Sequence, residues 1–422
     1  MATTYLLRTP SSATNQKTCT LSVWIKRSAI GVRQAIASQT VDGSNETFIW
    51  FDTNDELFLK ESGEATYEFR TNRKFRDTSA WYHIVMAIDT TQSSGGNRVK
   101  LYVNGIQETS WASATDPALN DDTRWNSTTP FNIGRMNYGS EYFDGAMSHI
   151  HFIDGTVYTP SAFGETDATT GEWKIKTSPS VTYGTNGFFI LKDGDSVTDQ
   201  SGNSNDFTVI GEALTKTEDS PSNVFNVLNP LSAHGSSLTF RKANTEINFD
   251  ATATWHAVYS TLGATSGKYY AECLIDAVGG ETSIGIIPVD TVSNVQYTGP
   301  GDYMGKEANS IGYVNNGTLY KSNSVQESTS TYTNADIISF IFDLDNNTIQ
   351  FYKNDSSVGS AISLPSNTTY MIGGSGYNGS RQRWNFGNGF FGKTAVASAG
   401  TNASGNGIFE YDVPTGYTAL ST

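Results

Sequence analysis

The residues of this chain that could do chemistry are few and far apart. His149 and His151 stand two apart in the alternating run from Ser148 to Asp154. That spacing places both imidazoles on one face of a strand, where they could share a metal ion. The same face carries Met147 and Ile153, and no third ligand stands near it, so packing is the simpler expectation. A glycosidase needs two carboxylates about 5 to 9.5 Å apart across the scissile bond, most directly supplied by period-two spacing on one strand. No Glu-x-Asp-x-Glu pattern exists, and the clusters Asp52-Asp55-Glu56 and Glu64-Glu68 adjoin polar residues that read as solvated turns. With no nucleophile motif and no phosphate loop, the expectation is a protein that is not an enzyme, with no catalytic and no metal-ligating residues.

Recognition asks for different residues. Sugar C–H faces pack on exposed aromatic rings while the hydroxyls need directed polar partners. Trp125, Tyr138 and Tyr142 fall in loop-like segments of the first half, and Tyr377, Arg381 and Arg383 in a Gly-rich stretch of the second. These six are the candidate ligand-binding residues, each with burial or a subunit contact as the alternative. A basic cluster of Arg70, Arg73, Lys74 and Arg76 could meet an anionic sugar or phosphate, or be a solvated face.

The overall charge narrows the partners. Lys and Arg number 27 against 42 Asp and Glu, a net −15, which repels phosphate backbones and anionic lipid surfaces. Nucleic acid and membrane insertion are therefore not expected, and no apolar run is long enough to span a bilayer. The start Met1-Ala2-Thr3-Thr4-Tyr5 lacks the charged and apolar regions of a signal peptide. Cys19 and Cys273 each sit in an alternating strand pattern far from the other and read as core thiols.

The elements that must position these residues are strands. Period-two alternation recurs along the chain, as in Thr18 to Lys26, and helical periodicity is nearly absent. Arg98 to Val103 followed by Asn104-Gly105 and Ile106 predicts a hairpin with Val99, Leu101 and Val103 inward, because Asn-Gly supplies the positive φ angles of a type I′ turn. A second hairpin is predicted from Ile337 to Leu344, through Asp345-Asn346-Asn347, to Thr348–Tyr352. Its inward set is Ile338, Phe340, Phe342 and Leu344 with Ile349 and Phe351. Between the two lie scattered prolines and the polar run Asp199 to Asp206, the composition of a connector. The fold class expected is all-β, two antiparallel β-sandwich (jelly-roll) domains joined by a polar connector. The boundaries fall at 1–165, a connector with some β structure at 166–235, a second sandwich at 236–395, and a C-terminal tail segment at 396–422.

Three segments of the first domain resemble the laminin-G-like/concanavalin-A-like family: Cys19 to Lys26; Trp81 to Met86 leading to Leu101-Tyr102-Val103-Asn104-Gly105; and Ile133-Gly134-Arg135 through Phe143 to Met147. The resemblance implies a sandwich that hosts lectins, glycosidases and adhesion modules alike. It also implies a rim where Ca2+ could sit; Asp144, Asn137 and Asp154 are oxygen donors near it, but none is assigned as a ligand and no cofactor is expected. The second domain resembles SPRY domains through Gly267 to Glu272, Ser310 to Tyr313, Asp336-Ile337-Ile338 before Phe342-Asp343-Leu344, Ile349 to Asn354, and Trp384 to Asn388. That resemblance implies binding of protein or peptide partners through rim loops and brings no catalytic residues.

The pairing of the two, with Asp199-Gln200-Ser201-Gly202-Asn203, Asn223 to Pro230 and the ending Tyr411 to Tyr417, looks like virion-surface proteins of tailed bacteriophages, particularly marine ones. The function this implies is a structural or adhesive virion protein, a capsid decoration or fibre type, that binds host surface glycans or neighbouring capsid or tail proteins. Its location would be the virion surface, extracellular after release, and virion symmetry could impose a homo-oligomer. The alternatives are a secreted bacterial lectin or adhesin and, third, a glycan-active enzyme on the concanavalin-like sandwich.

Overall fold

The computed structural model describes residues 3–192, 194–233, 238–249, 254–294 and 303–422. The chain divides into two compact units, Met1–Lys216 and Thr217–Thr422. Regular structure among the described residues is strand throughout, apart from the short helix α1 (Val289–Asn294) and three 3-10 turns, in agreement with the all-β expectation.

The first unit runs β1 (Tyr5–Arg8), β2 (Thr18–Arg27), β3 (Gln34–Ser38), β4 (Thr47–Phe51), β5 (Glu56–Glu61), β6 (Tyr67–Lys74), β7 (Tyr82–Asp89) and β8 (Val99–Val103). It continues with β9 (Ile106–Gln107), β10 (Trp111–Thr115), β11 (Phe131–Ile133), β12 (Gly145–Asp154), β13 (Gly164–Thr166), β14 (Trp173–Ile175), β15 (Phe188–Ile190) and β16 (Thr208–Ile210). Eight strands form one sheet in the order β10-β6-β5-β4-β3-β11-β1-β16, and six form the other as β15-β12-β2-β7-β8-β9. Every pairing in the two is antiparallel, so alternate residues face a shared core of Leu21, Val23 and Ile25 against Ile49, Phe51, Leu57 and Leu59. The predicted first hairpin is present: Val99, Leu101 and Val103 are buried, and Asn104 and Gly105 both take positive φ, 47° and 80°.

The second unit runs β17 (Leu238–Arg241), β18 (Glu246–Phe249), β19 (His256–Ala264), β20 (Lys268–Ala277), β21 (Thr282–Pro288), β22 (Ile311–Val314) and β23 (Thr318–Lys321). After these come β24 (Ser324–Ser328), β25 (Ile337–Asp343), β26 (Thr348–Lys353), β27 (Ser356–Ser363), β28 (Tyr370–Gly376) and β29 (Ser380–Asn385). The sheets are ordered β17-β18-β29-β20-β25-β26-β27 and β19-β28-β21-β22-β23-β24. β25 and β26 form the second predicted hairpin, with the whole predicted inward set buried. Cys19 and Cys273 are both buried and unpaired, each inside its own unit's core.

The stretch expected as a connector is instead divided between the units. β15 pairs with β12 and β16 with β1, so residues as far as Ile210 complete the first sandwich. Residues 156–187 cover the outer face of its six-stranded sheet, where Phe163 is buried against Val85 and Ile153, with Tyr158, Val181 and Tyr183 packed around them. Phe225, Val227 and Leu228 are buried in the second unit. The expected boundary at 235 lies outside the described residues. The C-terminal tail segment packs on the outer face of the seven-stranded sheet, burying Phe409, Val413 and Ala419 against Tyr270. Glu272, on the same face of β20, accepts the backbone N–H groups of Glu410 and Tyr411, both at 2.9 Å, and the Tyr270 hydroxyl. Burial pushes this carboxyl up to about 7 against the pull of those donors.

A second buried carboxyl lies in the first unit. Glu61 accepts the Arg124 N–H at 2.7 Å beside the Tyr67 hydroxyl, which accepts Trp125 Nε1–H at 2.9 Å. Burial raises Glu61 from 4.5 to about 8, more than these donors lower it. The folded unit therefore holds a proton that the unfolded chain releases above pH 4.5, and stability falls as pH rises from 4.5 to about 8.

Two outcomes follow. Residues 1–216 and 217–422 expressed separately should each melt cooperatively with β-type circular dichroism, whereas residues 1–165, lacking β15 and β16, should not. Glu61→Gln in the first piece should match the parent in melting temperature at about pH 4 and exceed it by several degrees at about pH 9, as scanning calorimetry would show.

Candidate functional site

The histidines resolve first. β12 shifts register against β2 between Ser148 and His151, and His149 takes a positive φ of 45° at that bulge. The bulge breaks the expected alternation: Met147 turns to the core with Ile150 and Phe152, while His151 lies outward with Ile153. The two rings are 6.5 Å apart and separately engaged, His149 Nδ1 with Ser148 Oγ at 2.8 Å and His151 Nδ1 with Tyr183 Oη at 2.9 Å.

A Ser–His contact that the sequence did not reveal lies alongside. Ser22 Oγ and His83 Nε2 are 2.8 Å apart, and Trp173 Nε1 donates to His83 Nδ1 at 3.0 Å. An indole N–H can only donate, so Nδ1 is the acceptor and the neutral ring carries its proton on Nε2, facing Ser22. Burial drives His83 down to about 3, which keeps the ring neutral. The nitrogen that would have to take a proton from Ser22 already holds one, so the pair is not a nucleophile and its base.

Among the described residues, no group of three or more His, Cys, Asp or Glu side chains is gathered as metal ligands would be. Of the oxygen donors near the rim, Asp154 accepts the Asn186 N–H at 2.9 Å and Asn137 Oδ1 accepts from Ser38 Oγ at 2.7 Å.

The six candidate ligand-binding residues separate. Trp125 is 0% exposed, at the centre of the first core against Phe131 and Phe152, and is corrected to a core residue. Its polar neighbours suggested a loop, but they carry the backbone over a buried ring. Tyr138 is 62% exposed, and Tyr142 is half-buried in the same loop. There Arg135 lies over the rings of Tyr5 and Tyr142, at 4.7 and 5.5 Å. In the second unit Arg381 and Arg383 belong to β29 and not to the Gly-rich loop. Both are ion-paired with Asp276, and Arg383 also with Glu246 at 3.1 Å, so each serves its own sheet. Tyr377 stays in the turn after β28, 5.0 Å from Trp255.

Of the two carboxylate clusters expected in solvated turns, Glu64 is exposed as expected, whereas Asp52, Asp55 and Glu56 are buried, which corrects the expectation for them. Asp52, Asp55 and Glu56 close the β4–β5 hairpin, and the turn folds against arginines from β2, from β6 and from the segments beside them. Arg27 and Arg76 bind Asp55 at 3.0 and 2.9 Å; Arg33 binds Asp52 at 3.1 Å; Arg70 binds both Asp52 and Glu56; Lys74 binds Glu56 and Arg73 binds Glu108. Six cations thus meet four carboxylates, a local excess of two positive charges in a chain of net −15. Burial would raise Asp52 and Asp55, but the arginines and backbone N–H groups outweigh it and hold both below the usual carboxylate range. On the outer face of β4 and β5, Arg33 lies 5.0 Å over Trp50 and Arg70 3.9 Å over Phe58, with Asp52 shared between the two guanidiniums. Phe48 stacks on Trp50 at 3.9 Å beneath them. Arg33 keeps 49% of its side chain in solvent, a guanidinium fixed by a ring and a carboxylate with donors to spare.

Trp125→Ala should lower the stability of the first unit by about 3–5 kcal/mol, while Tyr138→Ala should leave it within about 0.5 kcal/mol, measured by urea unfolding.

Comparison with known proteins agrees with the architecture. Residues 2–161 match the family model described as the concanavalin A-like lectin/glucanases superfamily, and residues 268–388 match that of the SPRY domain. Similar solved structures include the SPRY domain of human HERC1 (18% identity, 37% of this chain and 96% of that one, TM-score 0.30) and a human SPRY domain (18%, 36% and 96%, 0.28). The PSpry domain of TRIM65 is similar at 11% identity, over 38% of this chain and 88% of that one, with TM-score 0.32. A search of curated proteins gives no match. The chain is thus a nearly all-β protein in which a laminin-G/concanavalin A-like domain is followed by a SPRY domain.

Proposed function

We propose that this is a non-enzymatic binding protein, displayed on the surface of a tailed-bacteriophage virion, whose first domain takes a host surface glycan and whose second contacts a neighbouring virion protein. The observation that carries the glycan reading is the outer face of β4 and β5. There two guanidiniums are held over Trp50 and Phe58 and share Asp52. Planar donors fixed before the ligand arrives lose little entropy on binding sugar hydroxyls or acidic sugar groups. The excess positive charge would favour a glycan bearing carboxylate or phosphate. Tyr138, exposed at the tip of its loop, offers a further ring in the same unit.

The family of the first domain includes both lectins and glucanases by its own description. Binding without cleavage is favoured by the pairing of the acidic residues beside this face: Asp52, Asp55 and Glu56 each answer an arginine or lysine, which ties these carboxylates into ion pairs. The reading calls for no cofactor. The virion setting rests on the resemblance of the domain order and of the segments around Asp199 and Tyr411 to virion-surface proteins of tailed bacteriophages.

Glycan arrays probed with the whole protein should give binding that Arg33→Ala weakens by about 1–2 kcal/mol without lowering the melting temperature. Mass analysis should recover the ligand intact; a ligand cleaved in a manner dependent on one Asp or Glu would sink the non-enzymatic reading. Proteomics of purified virions against host secretome separates the virion protein from a secreted bacterial lectin.

A further inference from the structure

The second unit carries a cluster of which the sequence singled out Tyr377 alone. Trp255, just before β19, lies 5.4 Å from Tyr303 and 5.0 Å from Tyr377, and Tyr303 lies 5.2 Å from Tyr320. The four rings come from four separate segments and all are half-buried, so part of each meets solvent. Their interplanar angles are 42°, 68° and 70°. Such tilted contacts occupy a face on one ring only, whereas parallel stacking would consume a face on both.

Glu281 stands beside this cluster. Its Oε2 is 3.5 Å from the Tyr377 hydroxyl, and its Oε1 accepts from Asn316 Nδ2 at 3.3 Å. Among the described residues no Lys, Arg or His side chain forms an ion pair with it. This sets Glu281 apart from Asp276, Asp336 and Asp343 of the same unit, each of which has a basic partner. After burial, the charge of Glu281 raises Tyr377, and Tyr320 followed by Glu281 raises Tyr303, which places Glu281 within electrostatic reach of the two rings flanking Trp255. Tyr377 can lie this close because Gly280 has no side chain: a Cβ there would sit 2.1 Å from the ring.

Electron-rich ring faces and an uncompensated, half-buried carboxylate share one complement, an organic cation. A weakly hydrated trimethylammonium group gives up little solvation to rings and gains from the carboxylate, whereas a primary ammonium is held by water. We infer that Trp255, Tyr303, Tyr377 and Glu281 form a binding site for a quaternary ammonium group of the choline type. The site lies wholly within the second unit and is independent of the glycan reading of the first.

The test uses the full chain with choline and tetramethylammonium chloride as probes, and with lysine and sodium chloride at equal ionic strength as controls. Ligand-observed saturation-transfer NMR should show saturable binding of both probes in the millimolar range and of neither control. Trp255→Ala and Glu281→Gln should each weaken it about tenfold or more. Glu281→Gln keeps the shape of the side chain, so unchanged melting with lost binding excludes a folding defect. Soluble phosphocholine and phosphatidylcholine vesicles, used as separate arms, distinguish a soluble from a membrane source. Absence of saturable choline binding, equal binding of lysine, or full binding by Glu281→Gln would each overturn the site.

Discussion

A β-sheet has two faces, and in a sandwich the partner sheet can bury only one. What covers the other face decides most of what is particular to this chain. In the first unit the outer face of the six-stranded sheet lies under residues 156–187, with Trp173 seated between Gly105 and Gly164, where a Cβ would come within 2.8 and 2.6 Å of the indole. In the second, the outer face of the seven-stranded sheet lies under the C-terminal segment held by Glu272. The outer face of β4 and β5 is roofed differently, by arginine side chains over aromatic rings. That roof is polar on its upper side, which makes it a surface suited to a ligand.

The sequence was most legible where burial is periodic. Val99, Leu101 and Val103, and the run Ile338 to Leu344, alternate because one face meets a core, and both hairpins stand where the pattern puts them. Covering segments have no such signal. Residues 156–187 and 400–420 touch the sheets through isolated residues such as Phe163, Trp173 and Phe409, at irregular intervals among polar ones, which is why their composition reads as connector and tail. The bulge at His149 shows a related limit: one added residue shifts the facing of every residue before it, with only its positive φ to mark the place. Trp125, Arg381 and Arg383 misled for a third reason. Their partners, Tyr67, Asp276 and Glu246, are remote in sequence, so the contacts that commit them to the fold cannot be read locally.

Charge is distributed against the average of the chain. The acidic excess is global, yet six cations gather around the carboxylates of the β4–β5 turn and Glu108, while among the described residues the charged side chain hydrogen-bonded at the Trp255 cluster is Glu281. Paired buried ions of the first kind fix geometry at a desolvation cost and leave exposed donors aimed outward. A lone half-buried carboxylate of the second kind keeps its field for whatever binds. The two proposed sites would therefore favour ligands of opposite sign.

Each unit also brings its own ends together. Tyr5 of the first strand pairs across β1 and β16 with Ile210, and Phe225 bridges to Ser421. A module whose entry and exit coincide can be cut out, inserted into a loop of another protein or permuted without stretching its backbone, because the host sees only a single point of attachment. Either unit could thus pass from one chain to another intact, its sheets undisturbed by what precedes or follows it.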